Sequence, residues 1–306
     1  MSSNFKTFLR SVLSFLLAAV FLYLAFRGTN FSELWLSLKE IRYGWIILLV
    51  PVGLAGHYVR AVRWKFLLDH VKPDLSIRNL FSAVLIGYMV NNVLPRVGEL
   101  VRPYVAGKLE GISKTTALGS VVIERIIDVM TFFFILLLVL SLYPDSLNAF
   151  WENADSLRPF FLGGSIVFIL IFVLIFLKSE SIFQLVKYIK PIIPAKYRQD
   201  MDALMESFLH GFGVATRKEK FLSIFVLSML MWFFYGLGMY VPFFAFPEIA
   251  SMHLGFSASI ILLTVSSIAF VLPAPGAFGT YHSFLKFALM KLYGVDEVMQ
   301  KLDTSR

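Results

Sequence analysis

Residues 221–246 contain no charged side chain. About 20 apolar residues in a helix cross the hydrocarbon core of a bilayer. Across the chain, 58% of the residues are hydrophobic and 16% are charged, a balance that soluble domains do not carry. We therefore expect an all-α, polytopic helical membrane protein with about six to eight membrane segments. Residues 1–306 would form a single transmembrane domain.

Other apolar runs are long enough to be candidate spans, and they cover residues 9–26, 45–68, 115–143 and 160–177. The first is interpreted as a retained span rather than a cleaved signal peptide, since no small-x-small cleavage site follows it. Residues 27–44 and 247–255 are predicted loops. Residues 178–220 are rich in Lys and Arg and are predicted to be a cytoplasmic connector, either an amphipathic surface helix or a solvated segment.

Basic residues accumulate on the cytoplasmic side of membrane proteins. This rule places the amino terminus in the cytoplasm and makes the chain a multi-pass protein of the cell, or cytoplasmic, membrane. The formal charge of +8 follows from the same bias and does not imply nucleic acid as a partner.

The pattern V-L-P-x-x-G occurs twice, at residues 93–98 and 271–276. Proline followed by glycine interrupts a helix, and the freed backbone groups are tolerated at membrane depth only beside protein or a water-filled cavity. Interruptions at corresponding positions in two halves are typical of secondary transporters. Two ordinary kinks or turns are the alternative.

The run at residues 80–94 is too short to span a membrane. With its return through residues 100–108, it is predicted to form a re-entrant hairpin entered from the cytoplasm. Residues 256–292 would form an inverted hairpin entered from outside, so that each hairpin carries one interruption. Alternatively, one of them is a simple kinked span.

Glu124, Arg125 and Asp128 lie inside the apolar run at residues 115–143. Each charge there costs about 2.5–3.5 kcal/mol on insertion scales. Glu124 and Asp128 share one helix face, which calls for cations from another helix. The available basic residues are Arg60, Arg63, Arg96 and Arg102.

Two interpretations of these charges stay open. They could form a buried network that locks helices together, or a polar cavity whose arginines hold a phosphate while the acids balance the charge or contact a cationic head group. Snorkelling towards the interface, within an aromatic belt, is a further explanation of Arg60 and Arg63. His57, one turn away, is interpreted as a satisfied core histidine rather than a proton carrier.

The interruptions add further candidate substrate-binding residues. A helix restarting at Gly98 would point free amide groups into a cavity, which suits an anion. The candidates here are Asn92 and Glu99 at the first interruption, and Pro273, Gly276, Gly279 and His282 at the second.

The chain has no cysteine, which excludes disulfides and thiolate metal sites. Zinc-type histidine clusters, a Walker loop and a G-x-S-x-G elbow are absent from the sequence. We therefore expect no metal, no cofactor and no catalytic residue in this chain. Whether the chain is an enzyme stays open, although the absence of a catalytic motif favours a protein without enzymatic activity.

With these residues in view, nearly the whole chain resembles the lysylphosphatidylglycerol synthase transmembrane-region family, a flippase-like group. The residues that carry the resemblance are Arg60 with Arg63-Trp64, the run at 92–102 with Leu94-Pro95, Gly98-Glu99 and Arg102-Pro103, then Glu124-Arg125, Asp128, and the run at 273–279. Where the family pattern at the second interruption reads P-x-P-G-G-x-G-x-x-E, this chain has Ala277 for the second Gly and His282 for Glu.

The resemblance implies a translocator of polar or aminoacylated phospholipids or related lipid-linked head groups, with membrane phospholipids as partners. A second hypothesis is the membrane domain of a lipid-modifying synthase that acts with a separate catalytic enzyme. A third is a scaffold through which nothing passes. Full-length synthase relatives carry an added cytoplasmic domain, so transferase activity is not inherited from the resemblance alone.

Overall fold

The computed structural model describes residues 31–69, 71–94, 97–144, 154–177, 218–268 and 280–294. Within these ranges the regular structure is entirely helical. The helices are α1 (Phe31–Glu40), α2 (Tyr43–Leu68), α3 (Ile77–Val93), α4 (Gly98–Glu110), α5 (Lys114–Leu142), α6 (Ala154–Leu177), α7 (Lys218–Ala245), α8 (Pro247–Ser251), α9 (Phe256–Ile268) and α10 (Thr280–Tyr293).

Three of these helices, α2, α5 and α7, are long and apolar enough to cross a membrane. They correspond to the predicted spans at residues 45–68, 115–143 and 221–246. Shorter apolar segments lie in α6 and α9. The predicted all-α, polytopic membrane fold is confirmed. The predicted first span at residues 9–26 lies outside the described residues.

Helices α2 and α7 form the most extensive helix contact. Val59 of α2 and Met231 and Trp232 of α7 are buried together. A Cβ atom at Gly56 would lie 3.3 Å from the Cβ atom of Phe234, so a small residue lets the two backbones approach closely.

The first interruption joins two antiparallel helices. Helix α3 ends at Val93 and α4 begins at Gly98, while Pro95 and Arg96 lie outside the described residues. A Cβ atom at Gly87 would lie 3.0 Å from the Cβ atom of Arg102, and one at Gly98 would collide with the carbonyl oxygen of Gly87. This close approach confirms a helical hairpin. Its membrane depth and the side from which it enters stay predictions.

The base of this hairpin is fastened by the buried side chain of Glu110. Its Oε1 atom accepts hydrogen bonds from the Asn79 side chain at 2.7 Å and from the Ser76 backbone N–H at 3.2 Å. Lys72 Nζ lies 3.4 Å from Oε2. The end of α4 is therefore tied to the start of α3.

The second predicted hairpin is described only on either side of its interruption. Helices α9 and α10 pack on each other, with Leu262 and Ala288 completely buried in a cluster that also includes Met239 of α7. Residues 271–276, which carry the second V-L-P-x-x-G pattern, lie outside the described residues. The inverted relationship between the two hairpins stays a prediction.

Three predicted boundaries need correction. The loop predicted at residues 27–44 contains helix α1, and the loop predicted at residues 247–255 contains the short helix α8. Pro247 begins α8, where its missing N–H costs nothing, and Glu248 suits the positive end of the helix. Helix α7 starts at Lys218, inside the predicted connector, whose residues 178–217 lie outside the described ranges.

Candidate functional site

Helices α2, α4 and α5 meet at the two acids of α5. Glu124 and Asp128 are one turn apart, so both side chains leave the same face of that helix. Arg60 and Arg63 of α2 approach from one side and Arg102 of α4 approaches from another. The prediction that cations from other helices reach this acidic face is confirmed.

Glu124 is completely buried beneath three guanidinium groups. Arg60 Nη1 donates to its Oε1 atom at 2.8 Å, and Arg102 Nη1 donates to the same atom at 3.0 Å. Arg102 Nη2 lies 2.8 Å from Oε2, and Arg63 Nη2 lies 3.5 Å from Oε1. A buried carboxylate is stable only with such compensation, so Glu124 is the centre of the cluster.

Asp128 extends the cluster towards α7. Arg63 Nη2 donates to its Oδ1 atom at 2.5 Å, and Arg60 Nη2 donates to Oδ2 at 3.4 Å. Both arginines also contact α7, because Arg63 Nη1 donates to Ser228 Oγ at 2.9 Å and Arg60 Nη2 donates to Tyr235 Oη at 2.8 Å. The charged residues therefore bind a third long helix through neutral hydroxyl groups.

Arg60 and Arg63 are 3% and 0% exposed, so snorkelling towards water does not explain them. Trp64 is also fully buried rather than part of an interfacial belt. The Arg102 guanidinium lies over its ring, 3.9 Å from the centroid, and the indole N–H donates to Ser120 Oγ at 2.8 Å. This cation–π contact fixes the side chain of Arg102 against α2.

Arg125 is held less closely than the other arginines. Its side chain is 41% exposed, and its Nε atom lies 3.3 Å from Glu99 Oε2. It lies 3.5 Å from carboxylate oxygens of both Glu124 and Asp128. Although Arg125 starts on a neighbouring helix face, its length lets it reach the edge of the cluster.

A small cleft lies between the hairpin and this edge of the cluster, with room for about one water molecule at most. Its lining residues are Val84, Gly87, Tyr88, Asn91, Gly98, Glu99, Arg102 and Arg125. The cleft therefore connects the hairpin tip with the exposed arginine.

The first amide of α4 does not point freely into this cleft. The Gly98 backbone N–H donates to Asn91 Oδ1 at 2.7 Å, so the expectation of a free amide at this position is wrong. Asn91 satisfies a donor that would otherwise lack a helical partner. Asn92, the predicted site residue, is exposed at the end of α3, because consecutive helical residues point about 100° apart.

Seven predicted site residues come together in the described structure, namely Arg60, Arg63, Glu99, Arg102, Glu124, Arg125 and Asp128. Four others, Arg96, Pro273, Gly276 and Gly279, lie outside the described residues. His282 belongs to α10, and its side chain is not among those described.

Ser228 and Tyr235 were not predicted to contribute to the cluster. A signal was present, since these residues are two helical turns apart on one face of an uncharged run. His57 was predicted to be a core histidine whose hydrogen bonds are satisfied. The ring packs on Tyr88, with centroids 4.2 Å apart, but the buried Nδ1 atom has no hydrogen-bond partner among the described residues.

In the part of the chain that the structure describes, four arginines face three carboxylates in this cluster. The described cluster is therefore positive by one charge. No group of three or more described His, Asp or Glu residues could hold a metal ion. The arrangement suits the capture of an anion, because guanidinium groups match carboxylate and phosphate geometry.

Comparison with known proteins identifies relatives among archaeal membrane proteins. A UPF0104 membrane protein from Methanocaldococcus jannaschii is 32% identical over 102 residues, which are 32% of this chain and 30% of that protein. Another from Methanothermobacter thermautotrophicus is 28% identical over 251 residues, which are 77% of this chain and 69% of that protein. The shared region thus spans less than a third of the first of these proteins.

A more distant UPF0104 membrane protein, from Pyrococcus horikoshii, is 22% identical over 85% of this chain and 80% of its own length. No solved structure matches the chain. The sequence model of the family described as lysylphosphatidylglycerol synthase TM region matches residues 11–298. The chain therefore belongs to the lysylphosphatidylglycerol synthase transmembrane-region family of multi-pass membrane proteins.

Proposed function

We propose that this protein translocates polar lipids by passing the head group through a hydrated groove while the acyl chains stay in the bilayer. The observation that carries the proposal is the arginine and carboxylate cluster at the tip of the α3–α4 hairpin, beside a cleft. We place the protein in the cell membrane with its amino terminus in the cytoplasm.

The charge of the cluster supports this proposal over a purely structural lock. Charged side chains inside a membrane protein are costly and usually mark substrate or ion pathways. A lock needs only matched pairs, whereas the described cluster has one more arginine than carboxylates. A lipid phosphate entering the cleft would supply the missing negative charge.

The position of the hairpin supports the same function. A helix interruption is tolerated inside a membrane where it lines a cavity, and many transporters place their substrate at such a point. The first interruption lies next to Glu99 and Arg102, both of which line the cleft.

The cleft is too small for a lipid head group, so translocation requires the helices around it to move. A phospholipid head group is much larger than the water molecule that the cleft can hold. Passage would therefore need the hairpin to separate from α5. The pair between Arg125 of α5 and Glu99 of the hairpin is the one that would have to open first.

Polar or aminoacylated phospholipids are the substrate class we propose, and the family description, which names a lipid-modifying synthase, supports this choice. A separate lipid-modifying enzyme is the partner that would supply an aminoacylated lipid. Membrane phospholipids would be the direct ligands.

Reconstitution tests the proposal. The full chain is placed in unilamellar vesicles containing a trace of phosphatidylglycerol that carries a nitrobenzoxadiazole label on its acyl chain. External dithionite bleaches the outer leaflet, so lipid crossing appears as additional bleaching. We expect crossing above that of protein-free vesicles, and about tenfold slower crossing for Arg125→Gln.

The matched control is Lys108→Gln, which removes a positive charge from an exposed position on the same hairpin. It should behave as the unmodified protein. Crossing no faster than in protein-free vesicles, with protein that remains folded, would count against translocation.

A further inference from the structure

Two members of the cluster face the cleft and are much more exposed than the rest. The side chains of Arg125 and Glu99 are 41% and 36% exposed. The side chains of Arg60, Arg63, Arg102 and Glu124 are between 0% and 4% exposed. Arg125 and Glu99 are therefore the pair that a molecule in the cleft would meet first.

The pair is also loosely held. Its nitrogen and oxygen atoms are 3.3 Å apart, and the other described ion pairs of Arg125, with Glu124 and Asp128, are 3.5 Å long. By contrast, Arg60 and Arg102 approach Glu124 to 2.8 Å. A guanidinium carries five N–H donors in a planar fork, so Arg125 retains unused capacity for an oxyanion.

Glu99 is the carboxylate that an incoming anion could displace from Arg125. Its described ion pair is with Arg125 alone, whereas Glu124 and Asp128 each pair with several arginines. Glu99 also belongs to the first turn of α4, directly after Gly98 at the hairpin tip. Releasing its carboxylate would therefore remove the described ion pair between the tip and α5.

The other arginine of the cleft is not free to leave. Arg102 is bound to Glu124 and stacked on Trp64, so it would keep α4 attached to the cluster while the tip moves. Arg102 of the hairpin thus stays in place, whereas the carboxylate of Glu99 can be replaced by a ligand. This difference gives an incoming anion a definite position, between the Arg125 fork and the hairpin tip.

We propose that Arg125 is the binding site for a phosphate monoanion, which displaces Glu99 from it. The ligand class is a phosphodiester such as that of a phosphatidylglycerol head group, and the same chemistry would accept inorganic phosphate. The biological role of this exchange rests on the proposed lipid translocation. The exchange itself is a binding equilibrium that can be measured separately.

The test uses the purified full chain in a neutral detergent. Short-chain phosphatidylglycerol, short-chain phosphatidylcholine and inorganic phosphate are titrated separately by calorimetry. We expect phosphatidylglycerol to bind, and Arg125→Gln to weaken this binding about tenfold or more, since a charged hydrogen-bonding group is lost.

Glu99→Gln gives the decisive result. If the Glu99 carboxylate competes with the ligand, its removal should tighten binding several-fold, in contrast to the loss expected for an ordinary contact residue. The gain should disappear in the Arg125→Gln/Glu99→Gln double variant. Lys108→Gln, which removes an exposed positive charge from α4, should leave binding unchanged.

Unchanged or weaker binding by Glu99→Gln would overturn the proposal, as would a gain that persists without Arg125. Tighter binding of phosphatidylglycerol than of inorganic phosphate supports a lipid as the ligand. Tighter binding of inorganic phosphate overturns the assignment of a lipid. Phosphatidylcholine carries the same phosphodiester monoanion, so its binding would also support the site, and the absence of binding by both lipids would overturn the proposal.

The vesicle assay separates this inference from the proposed function. Lipid crossing by the unmodified protein without the Glu99 effect on binding would reject the exchange and keep translocation. The Glu99 effect without any crossing would reject translocation and keep the anion site.

Discussion

Replacement of Glu124 by glutamine removes a negative charge from a completely buried position. Arg60 and Arg102 lie 2.8 Å from this carboxylate, and Arg63 lies 3.5 Å from it. Removing one partner of a buried ion pair costs about 3–5 kcal/mol, because the remaining charge is left uncompensated. The amide oxygen of glutamine can still accept a hydrogen bond, so we expect a loss near the lower limit, about 3 kcal/mol.

A loss of this size should lower the melting temperature by roughly 6–12 °C, using the scaling for domains of 150–250 residues. The measurement is thermal unfolding of the purified protein in detergent. Glu99→Gln is the matched control, since it makes the same chemical change at a side chain that is 36% exposed and has one partner at 3.3 Å. That variant should lose less than about 1 kcal/mol.

A second variant separates uncompensated charge from lost packing. In Glu124→Gln/Arg102→Gln the surplus guanidinium is removed together with the carboxylate, so part of the lost stability should return. This holds although the contact between Arg102 and Trp64 is also lost. Equal melting temperatures for Glu124→Gln and Glu99→Gln, or a double variant less stable than Glu124→Gln alone, would refute the reasoning.

Three further substitutions test the packing around the site by the same melting measurement. Gly98→Ala should destabilise strongly, since its Cβ would collide with the facing helix, whereas Gly163→Ala, where a Cβ meets nothing within 4 Å, should be neutral or slightly stabilising. Trp64→Phe should cost about 1–3 kcal/mol, because it leaves Ser120 without its buried donor while keeping a ring beneath the arginine. Glu110→Ala should cost about 1–3 kcal/mol by leaving the hairpin base unpaired, and hydrogen exchange of α4 should then increase.

The centre of the cluster could be predicted from the sequence because charge is costly in an apolar run. Glu124 and Asp128 are one turn apart, so helical geometry alone places them on one face. A membrane offers few groups that can compensate them, so Arg60, Arg63, Arg96 and Arg102 were the partners that the sequence alone indicated. The three long spans followed equally directly from the lengths of the apolar runs.

Contacts that depend on how helices are arranged could not be derived in this way. Helix α7 carries no charge between residues 221 and 245, and although Ser228 and Tyr235 share one helix face, the sequence does not show that this face meets the arginines. The choice of Asn91 over Asn92 depends on where α3 ends and how it is rotated. Both follow from packing between segments that are distant in sequence, for which a single sequence holds little information.

The two interpretations of the buried charges are compatible because the cluster differs from one side to the other. Towards α2 and α7 each arginine has at least one ion pair of 2.8 Å or shorter and is almost fully buried, which suits a fixed junction between helices. Towards the α3–α4 hairpin the contacts of Arg125 lengthen to between 3.3 and 3.5 Å and the exposure rises to 41%. A cluster serving only as a lock would gain nothing from this difference, since an exposed and long ion pair contributes little stability. A cluster that binds a charged ligand needs both sides, because rigid support keeps the guanidinium groups positioned while the loosely paired arginine remains available.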